Sequence, residues 1–491
     1  MRHATAPRIM TPAQSTLIAT IAEQLGPRAV VTDADDIAPW LVDWRGRYHG
    51  AAPAILSPAT THEAARIVML AREHGVPLVP QGGNTSMVGG ATPPADGSAL
   101  IVSMRRMRTI RRIDAAAGLA IADAGVILAE LHEAADTAGM RFPLTLGARG
   151  SATIGGLVST NAGGTQVLRH GTMRRLVAGV EAVLPDGSVH DGLAALKKDT
   201  RGYDLDQLLI GAEGTLGLVT GAALRLAPRI AVRAVGWAGL ASPDAALDLL
   251  RRFEAASDMV ESFELIPGDT LARAVAHLPD ARAPLAGTHR WHVLVEAASG
   301  DATADPAALI ERVLATAIEA GLVEDAVLAA SEAQAEAFWR LRDSLSAAER
   351  AAGPAMQHDI SVPVPAMPRF LTEAAAAVEA RFPGTHAGGF GHLGDGNVHF
   401  HVRAPKGIAD AEAWYAGDGA AASRFVHDLV IAAGGSIAAE HGIGQMKRAE
   451  LLRTAPPARI AALRAIKAAF DPAGLFNPGK LVSLAPEGDA T

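Results

Sequence analysis

Three histidines, one aspartate and one asparagine lie within the twelve residues of GHLGDGNVHFHV, the segment from Gly391 to Val402. His392 and His399 stand seven residues apart around the sequence GDG, a turn signal that predicts a β-hairpin. A hairpin would fold the chain back and bring the two imidazole rings to one place. Because imidazoles are common ligands of divalent metal ions, this spacing suggests a metal site.

The other polar residues of the segment have broader interpretations. In a strand, His401 would point to the same face as His399, so it could replace either of the two histidine ligands. Asp395 is interpreted as a turn former, whereas Asn397 could form a hydrogen bond with a substrate. The role of His401 stays open.

The composition excludes several classes of protein. The 491 residues carry a net charge of −8 and contain no basic-aromatic patch, so nucleic acid is not an expected partner. Without cysteine the chain cannot form disulfides or thiolate metal sites, and any metal must be bound by His, Asp or Glu. No uncharged apolar run reaches the ~18 to 20 residues of a transmembrane segment, and the N-terminus lacks the apolar core of an export signal. These features predict a cytoplasmic enzyme that acts on a small molecule.

Hydrophobic periodicity and turn residues predict a mixture of helices and strands. Thr11 and Pro12 begin a predicted N-terminal helix, the turn Pro185-Asp186-Gly187 predicts a hairpin, and the pattern changes near Pro228. From Gly419 the chain is predicted to be mainly helical to its end. The other predicted helices cover about 58–75, 126–139, 243–257, 306–320 and 366–381, and strands are predicted at VPLVP, ALIVSM, LAIADAGV and WHVLVEAA.

Two glycine-rich segments suggest a binding site for an extended anion. Glycine lets backbone N–H groups approach a ligand closely, and QGGNTSMVGG offers this at Gly82 and Gly83. The segment LGARGSATIGGLVSTNAGGTQVLRHGT, interpreted as an ordered loop, adds further glycines, as does Gly214. Turns and bulges alone could also explain each loop. The P-loop and Rossmann glycine motifs are absent from the sequence, so a dinucleotide would require a different fold.

Six motifs, in this order along the chain, resemble those of the FAD-linked D-2-hydroxy-acid dehydrogenases within the vanillyl-alcohol-oxidase type of flavoprotein. This family includes D-2-hydroxyglutarate dehydrogenase, D-lactate dehydrogenase and the FAD subunit of glycolate oxidase. The resemblance extends from Pro53 to Leu481, nearly the whole chain. The six motifs are VPQGGNTSMVGGATP, GSATIGGLVSTNAGG, KKDTRGYDLDQLLIGAEGTLGLVT, GHLGDGNVHFHV, AAEHGIGQMKR and FDPAGLFNPGKL.

The resemblance implies an α+β fold with three parts. A PCMH-type FAD-binding domain of two subdomains, with the N-terminal helix, would cover residues 1–228. An antiparallel-sheet cap or substrate domain, which carries the metal hairpin, would cover 229–430. A helical C-terminal segment, 431–491, would return to the flavin.

The resemblance also implies which residues bind FAD. Some relatives attach the flavin covalently through a histidine in the first loop, but Asn84 occupies that neighbourhood here and cysteine is absent, so noncovalent FAD is predicted. The implied contacts are Gln81, Gly82, Gly83, Asn84, Thr85 and Ser86 at the pyrophosphate, Gly147, Ser151, Gly155, Gly156, Asn161 and Gly163 along the flavin, Glu213, Gly214 and Val219 at the adenine side, and Asn477 at the far end.

For the metal centre the resemblance implies the ligands His392, His399 and Glu440, with Zn²⁺ as the expected ion. His441 directly follows Glu440 and would serve as the catalytic base. The implied substrate-binding residues are Arg342, Ser346, Gln357 and Asn397. Several relatives have lysine at the position of Gln357, so the identity of the substrate acid stays open.

The implied reaction is the oxidation of a D-2-hydroxy acid, such as D-2-hydroxyglutarate or D-lactate, to the 2-oxo acid with hydride transfer to the flavin. The metal would favour ionisation of the substrate hydroxyl. Electrons would pass to an unidentified acceptor, such as an electron-transfer flavoprotein, a quinone or a cytochrome, which could hold the enzyme at a membrane surface. A homodimer is one option for its assembly. The main alternative is an oxidase or transferase of the same fold without a required metal; a metallohydrolase and a noncatalytic dinucleotide-binding subunit are further alternatives.

Overall fold

A computed structural model of the chain describes residues 10–484. Residues 1–9 and 485–491 lie outside the described part, and with them the start of the segment in which no export signal is predicted. Within the described part, no helix has both the length and the apolar character needed to cross a membrane.

Strands and helices alternate along most of the described chain. The strands are β1 Val30–Val31, β2 Ile55–Leu56, β3 Leu78–Gln81, β4 Leu100–Ser103, β5 Ile110–Asp114, β6 Leu119–Asp123, β7 Met140–Arg141, β8 Val177–Val183, β9 Val189–Asp191, β10 Leu218–Arg225, β11 Ala227–Pro228, β12 Val232–Leu240, β13 Val260–Pro267, β14 Trp291–Ser299, β15 Asp325–Leu328, β16 Ala355–Ser361, β17 His386–His392 and β18 Asn397–Arg403. The α-helices are α1 Pro12–Leu25, α2 Ala34–Ile37, α3 Thr61–Glu73, α4 Leu128–Thr137, α5 Ile154–Thr160, α6 Val167–His170, α7 Met173–Leu176, α8 Leu205–Leu209, α9 Pro243–Ala256, α10 Gly268–His277, α11 Pro306–Glu319, α12 Glu332–Ala351, α13 Met367–Arg381, α14 Ala411–Trp414, α15 Ala420–Ala432, α16 Arg448–Thr454 and α17 Pro457–Phe470.

The chain forms two compact units, each built from separate stretches of sequence. The first unit comprises the described residues of 1–162, 172–228 and 441–491. It contains a four-stranded sheet in the order β1-β2-β4-β3, a five-stranded antiparallel sheet in the order β5-β6-β10-β8-β9, and the pair β11-β7. Strands β2, β4 and β3 run parallel, and the first glycine loop follows the carboxyl end of β3.

The second unit comprises residues 163–171 and 229–440. Its seven-stranded antiparallel sheet has the order β15-β12-β14-β13-β17-β18-β16. One face packs against α9, α11, α13 and α15, and the other face packs against α10 and α12. Alternation along β18 places Val398 and Phe400 in the first of these cores, and therefore turns His399 toward the opposite face.

Most predicted elements are confirmed. Thr11 caps α1 and forms a capping box with Gln14, and Thr60 caps α3 by accepting a hydrogen bond from the Glu63 backbone N–H at 3.1 Å. The predicted hairpin at Pro185-Asp186-Gly187 is formed by β8 and β9. The cap sheet is antiparallel, as the family resemblance implies.

One local prediction is wrong, and one is confirmed with an interruption. The second glycine segment is not only loop, because α5 forms within it, and a Cβ at Gly155 would lie 2.6 Å from the Ala124 Cβ. Close packing of the helix against this neighbour therefore requires glycine and outweighs its low helix propensity. The described chain after Gly419 forms the helices α15, α16 and α17, as predicted, but residues 433–447 between α15 and α16 form no helix. Gly434, Gly442 and Gly444 have positive φ angles of 74°, 77° and 52° there.

Candidate metal centre and candidate cofactor loops

Strands β17 and β18 form the predicted hairpin around the GDG turn. His392 lies opposite Asn397, and Phe390 lies opposite His399. The Asp395 carboxylate accepts a hydrogen bond from the Asn397 backbone N–H at 2.9 Å, so Asp395 stabilises the turn as predicted. The rings of His392 and His399 lie 5.6 Å apart between centroids.

His392, His399 and Glu440 form a group that could hold a metal ion. Each offers one ligand atom, and these three atoms all lie within 4.8 Å of one another. Glu440 is held in place by its backbone N–H, which donates to Asp359 Oδ2 at 3.0 Å, while Asp359 Oδ1 accepts from Asn397 Nδ2 at 2.9 Å. Two imidazoles and one carboxylate suit Zn²⁺ and leave coordination positions for a substrate.

Glu264 contacts both His392 and Arg342, and it influences the protonation of the candidate metal ligand His392. Its Oε1 lies 2.7 Å from His392 Nδ1, and its Oε2 accepts a hydrogen bond from Arg342 Nε at 3.0 Å. Burial favours the protonated acid, but the Arg342 and His392 charges outweigh it and lower the pKa of the Glu264 carboxyl to about 2. A carboxylate at Nδ1 orients the imidazole and leaves Nε2 toward Glu440, as in many metal-binding histidines.

The charge of His392 also depends on its neighbours. Burial opposes protonation of its imidazole, but the charge of Glu264 outweighs burial and raises the pKa of His392 to about 9. Arg342 Nη2 lies 2.9 Å from His392 Nε2. A cation bound at Nε2 would therefore have to displace both a proton and the Arg342 guanidinium.

A bound cation would change the protonation state of the Glu440 carboxyl. Burial raises the pKa of its carboxyl, and the negative charges of Asp359 and Asp395 add to this effect. Such a carboxyl is easily neutralised by protonation, whereas a bound divalent ion would keep it ionised.

The predicted substrate-binding residues lie in the same unit as this group. Arg342 and Ser346 are one turn apart on α12, and Gln357 lies on β16 opposite His401. Arg342 is not a surface arginine, since only 13 % of its side chain is exposed. Asn397 Nδ2 also donates to the Ile360 carbonyl at 3.0 Å, whereas its buried Oδ1 has no hydrogen-bond partner among the described residues. The Oδ1 atom is thus the one that a substrate could use.

His401 lies apart from the candidate ligand group. Its Nδ1 is 3.5 Å from Glu349 Oε2, and the Phe390 ring packs against both His399 and His401 at centroid distances of 5.2 and 5.7 Å. Among the residues that the structure describes, the groups able to hold a metal do not include His401. The predicted base, His441, follows Glu440 and begins the last stretch of the first unit.

In the first unit, two of the predicted cofactor segments are in contact. A Cβ at Gly82 would lie 2.1 Å from Thr153 Oγ1, and a Cβ at Gly83 would lie 1.9 Å from the Ser151 carbonyl oxygen. The buried Thr153 Oγ1 has no hydrogen-bond partner among the described residues. A loop without side chains beside an unpaired buried hydroxyl fits the phosphate oxygens of a dinucleotide.

The loops on the predicted adenine side are tied together by side chains. Glu213 is buried, and its two carboxylate oxygens accept hydrogen bonds from the Ile443 and Gly444 backbone N–H groups at 2.7 and 2.6 Å. Asn477 Nδ2 donates to the carbonyl oxygens of Gly90 and Glu213 at 3.0 and 2.7 Å. Four separate stretches of the chain therefore meet here, and the Glu213 carboxylate is occupied by backbone groups.

Several other predicted cofactor residues stabilise the loops that contain them. The Gln81 side chain donates to the Trp40 and Ala91 carbonyl oxygens, and Ser86 Oγ accepts from the Gly90 backbone N–H. Asn84 and Asn161 adopt left-handed conformations with φ of 52° and 50°. The remaining predicted residues are placed as follows: Thr85 in the first loop, Gly147 with open space around it, Gly156 in α5, Gly214 against Pro80, Val219 in the core strand β10, and Gly163 in the stretch 163–171 of the second unit.

Three residues around these sites escaped the sequence-based prediction. Glu264 and Asp359 position the candidate metal group, and Thr153 faces the first glycine loop. An acidic residue inside an apolar strand, as in VESFELIP, is a signal that could have identified Glu264, because a buried charge requires a partner. The sequence around Thr153 carries no comparable signal.

Comparisons with known proteins identify the family and the fold of the chain. Two family models match the chain: an FAD binding domain over residues 52–192 and the C-terminal domain of FAD linked oxidases over residues 229–481. The chain is 34 % identical over 469 residues to mitochondrial D-2-hydroxyglutarate dehydrogenase of Arabidopsis thaliana, covering 94 % of this chain and 80 % of that protein. It is 36 % identical over 450 residues to D-2-hydroxyglutarate dehydrogenase of Xanthomonas citri pv. viticola, covering 92 % and 93 %.

Among solved structures, p-cresol methylhydroxylase superimposes with a TM-score of 0.73 at 15 % identity, over 97 % of this chain and 98 % of that one. This likeness concerns the fold, and it confirms the predicted fold of the vanillyl-alcohol-oxidase type. Identity to the curated relatives extends over nearly the whole chain. The chain therefore belongs to the family of FAD-linked D-2-hydroxy-acid dehydrogenases, and it is an FAD-dependent oxidoreductase.

Proposed function

We propose that the protein oxidises a D-2-hydroxy acid to the corresponding 2-oxo acid and that the reaction depends on a divalent metal, Zn²⁺, bound by His392, His399 and Glu440. The observation that carries this proposal is the convergence of these three ligand atoms within 4.8 Å in a chain of this flavoprotein family. The names of the curated relatives make D-2-hydroxyglutarate the first substrate to test and D-lactate the second.

Different residues would bind the substrate and accept its proton. When bound, the metal supplies a Lewis acid that favours ionisation of the substrate hydroxyl, and the flavin supplies the hydride acceptor. His441 takes the hydroxyl proton at a ring nitrogen. Arg342 holds the substrate carboxylate, because its planar guanidinium can donate two parallel hydrogen bonds. Asn397 Oδ1 would orient the substrate hydroxyl by accepting its hydrogen bond before His441 takes that proton.

Ser346 and Gln357 would contact the part of the substrate beyond the reacting carbon. Both are uncharged, and Gln357 stands where the family resemblance leads us to expect lysine in several relatives. The amide can donate a hydrogen bond to a distal carboxylate but supplies no positive charge. We therefore expect weaker discrimination between D-2-hydroxyglutarate and uncharged-tail acids than a lysine would give.

We further propose that FAD binds noncovalently, with its phosphates at the first glycine loop and Thr153 Oγ1. The supporting observations are the close contact of Gly82 and Gly83 with residues 151–153 and the unpaired hydroxyl of Thr153. After denaturation and precipitation, the yellow colour should stay in the supernatant. An electron-transfer flavoprotein, a quinone or a cytochrome would reoxidise the enzyme, which we place in the cytoplasm.

Anaerobic flavin reduction tests the proposed reaction. The absorbance of the holoprotein should be bleached by D-2-hydroxyglutarate or D-lactate but not by the L-enantiomers. Chelation should slow bleaching strongly while FAD stays bound, and Zn²⁺ should restore it. His441→Ala should slow flavin reduction by about 10²- to 10⁴-fold, the range typical of a lost general base.

The outcome would separate the main alternatives. Bleaching that resists chelation would contradict the metal-dependent reaction and support the metal-independent enzyme of the same fold. Rapid release of peroxide in air would identify an oxidase instead of a dehydrogenase.

A further inference from the structure

A cavity of about 880 Å³ lies in the second unit, between α10, α13 and strand β17. This volume is within the range of small-molecule binding sites. None of His392, His399 and Glu440 lines it, although His401 does. The proposed base His441 and the proposed substrate-binding residues do not line it either, so the proposed reaction does not use this cavity.

Four buried polar atoms belong to residues that line this cavity and have no hydrogen-bond partner among the described residues. They are His401 Nδ1, Glu349 Oε2, Arg403 Nε and His289 Nε2. His401 and Glu349 are only 6 % and 2 % exposed. Because buried polar groups in folded proteins are almost always well paired, these four atoms are candidates for hydrogen bonds with a polar ligand.

The charged residues on the wall of the cavity indicate which charges a ligand would carry. Glu349 Oε1 accepts a hydrogen bond from Arg273 Nε at 2.7 Å. Its Oε2 lies 3.4 Å from Arg403 Nη2 and 3.5 Å from His401 Nδ1, distances too long for good hydrogen bonds. A carboxylate oxygen and a guanidinium N–H are thus both available at one place.

A ligand with a single charge would not suit this wall. An anion that approached Arg403 would meet the carboxylate of Glu349, and a cation that approached Glu349 would meet Arg273 and Arg403. A molecule with both an ammonium and a carboxylate group could pair with the carboxylate of Glu349 and with the guanidinium of Arg403 at the same time. The rest of the wall includes Val275, Leu285, Leu371 and Phe390, which can accommodate an apolar side chain.

We propose that this cavity binds a zwitterionic α-amino acid with an apolar side chain. Its ammonium group contacts Glu349, and its carboxylate contacts Arg403 and His401. His386, another residue that lines the cavity, forms ion pairs with Asp269 at 3.4 Å and with Glu379 at 3.0 Å.

Isothermal titration calorimetry of the full-length holoprotein tests this proposal. L-phenylalanine is the probe, with 3-phenylpropanoate as the analogue without the ammonium group and 2-phenylethylamine as the analogue without the carboxylate. The expected result is binding of L-phenylalanine at least tenfold tighter than either analogue. Failure of all three to bind, or equal affinity for the amino acid and an analogue, would overturn the proposal.

A variant at Gly388 locates the binding without touching the polar groups. Gly388 lines the cavity opposite His401, and a Cβ there would meet no atom within 4 Å. Gly388→Leu should therefore fold normally, fill the cavity and weaken L-phenylalanine binding at least tenfold. Gly417→Leu is the matched control, since Gly417 is exposed with equally open space, and it should leave binding unchanged.

A second variant tests the charge assignment. Glu349→Gln should weaken binding of L-phenylalanine at least tenfold but should not weaken binding of 3-phenylpropanoate. Normal FAD content and circular dichroism would establish that this variant is folded. Unchanged amino-acid affinity in Gly388→Leu, or in a folded Glu349→Gln protein, would contradict the proposed site.

Discussion

The buried carboxylate of Glu264 is the residue on which the candidate metal group depends most. It contacts His392 and Arg342 at once, and it is fully enclosed by protein. A buried charge of this kind requires its partners, because an unpaired charge in the interior is strongly destabilising. The same carboxylate has two opposite effects on metal binding. It raises the pKa of His392, so a proton competes with the metal for the imidazole, but it also orients the imidazole for coordination.

Replacing Glu264 with Gln should therefore change metal binding. We expect Zn²⁺ affinity at pH 7 to fall about 10- to 100-fold, the range typical when the partner of a metal-binding histidine is removed. Competition with a chromophoric chelator measures this affinity. Glu261→Gln is a matched control, because Glu261 is buried on the same strand but pairs with Arg169. An equal loss in both variants would show a general effect of destabilising β13.

The buried ammonium group of Lys480 should make the stability of the protein depend on pH. Burial, supported by the charge of Arg448, lowers the pKa of this ammonium group to about 8. The unfolded chain then binds more protons than the folded chain between about pH 8 and pH 10.5. Below pH 8 the folded chain has to bury the charged ammonium group, which lowers the free energy of unfolding. As the pH rises from 8 to 10.5 the buried amine loses its proton, so the free energy of unfolding should increase across this window.

Urea unfolding as a function of pH measures this contribution. Between pH 8 and 10, we expect Lys480→Met to lose the rise in the free energy of unfolding that the unmodified protein shows. Lys198→Met, at an exposed position, should keep the rise. An identical pH profile for the protein and the Lys480 variant would contradict the assignment.

At the scale of elements, the contact between the first glycine loop and the segment before α5 explains why two glycines are needed after β3. A side chain at Gly83 would meet the Ser151 carbonyl, which is backbone and cannot rotate away. The loop must then move from its present position. Since the proposed phosphate contacts come from loop N–H groups, such a shift should weaken FAD binding.

The substitution Gly83→Ala tests this relation. We expect the FAD dissociation constant, measured by flavin fluorescence, to increase at least tenfold. Gly150→Ala is the control, since a Cβ at Gly150 would meet no atom within 4 Å and its φ is not positive. Unchanged FAD affinity in Gly83→Ala would argue that this loop does not hold the cofactor.

At the scale of the whole molecule, ligands that bind only the folded chain must stabilise it. Residues His392, His399 and Glu440 come from two separate parts of the second unit, and their positions depend on its folded sheet and loops. The unfolded chain cannot hold them within 4.8 Å of one another, so binding energy adds to folding stability.

We therefore expect free Zn²⁺ at 100 times its dissociation constant to raise the free energy of unfolding by about 2.7 kcal/mol. Urea unfolding with and without the ion measures the change. His399→Ala should abolish most of it, and Mg²⁺, which prefers oxygen ligands, should not replace Zn²⁺. Full stabilisation of the His399 variant by Zn²⁺ would mean that the ion binds elsewhere.

The sequence by itself determined the features that depend on near neighbours in the chain. The GDG turn and the alternation of β18 were enough to predict the hairpin and the approach of His392 to His399, because turn conformation and strand periodicity are local properties. The order of the motifs was enough to identify the family. The capped helices α1 and α3 were predictable for the same local reason.

Only the tertiary structure decided which distant residues complete each site. Glu264 lies 128 residues before His392 in the chain, and Thr153 approaches Gly82 from a separate segment. Such contacts follow from sheet order and from packing between elements, which leave no periodic pattern in the sequence. The helix α5 formed within a glycine-rich stretch for this reason, since contact with Ala124 outweighed the local preference of its glycines.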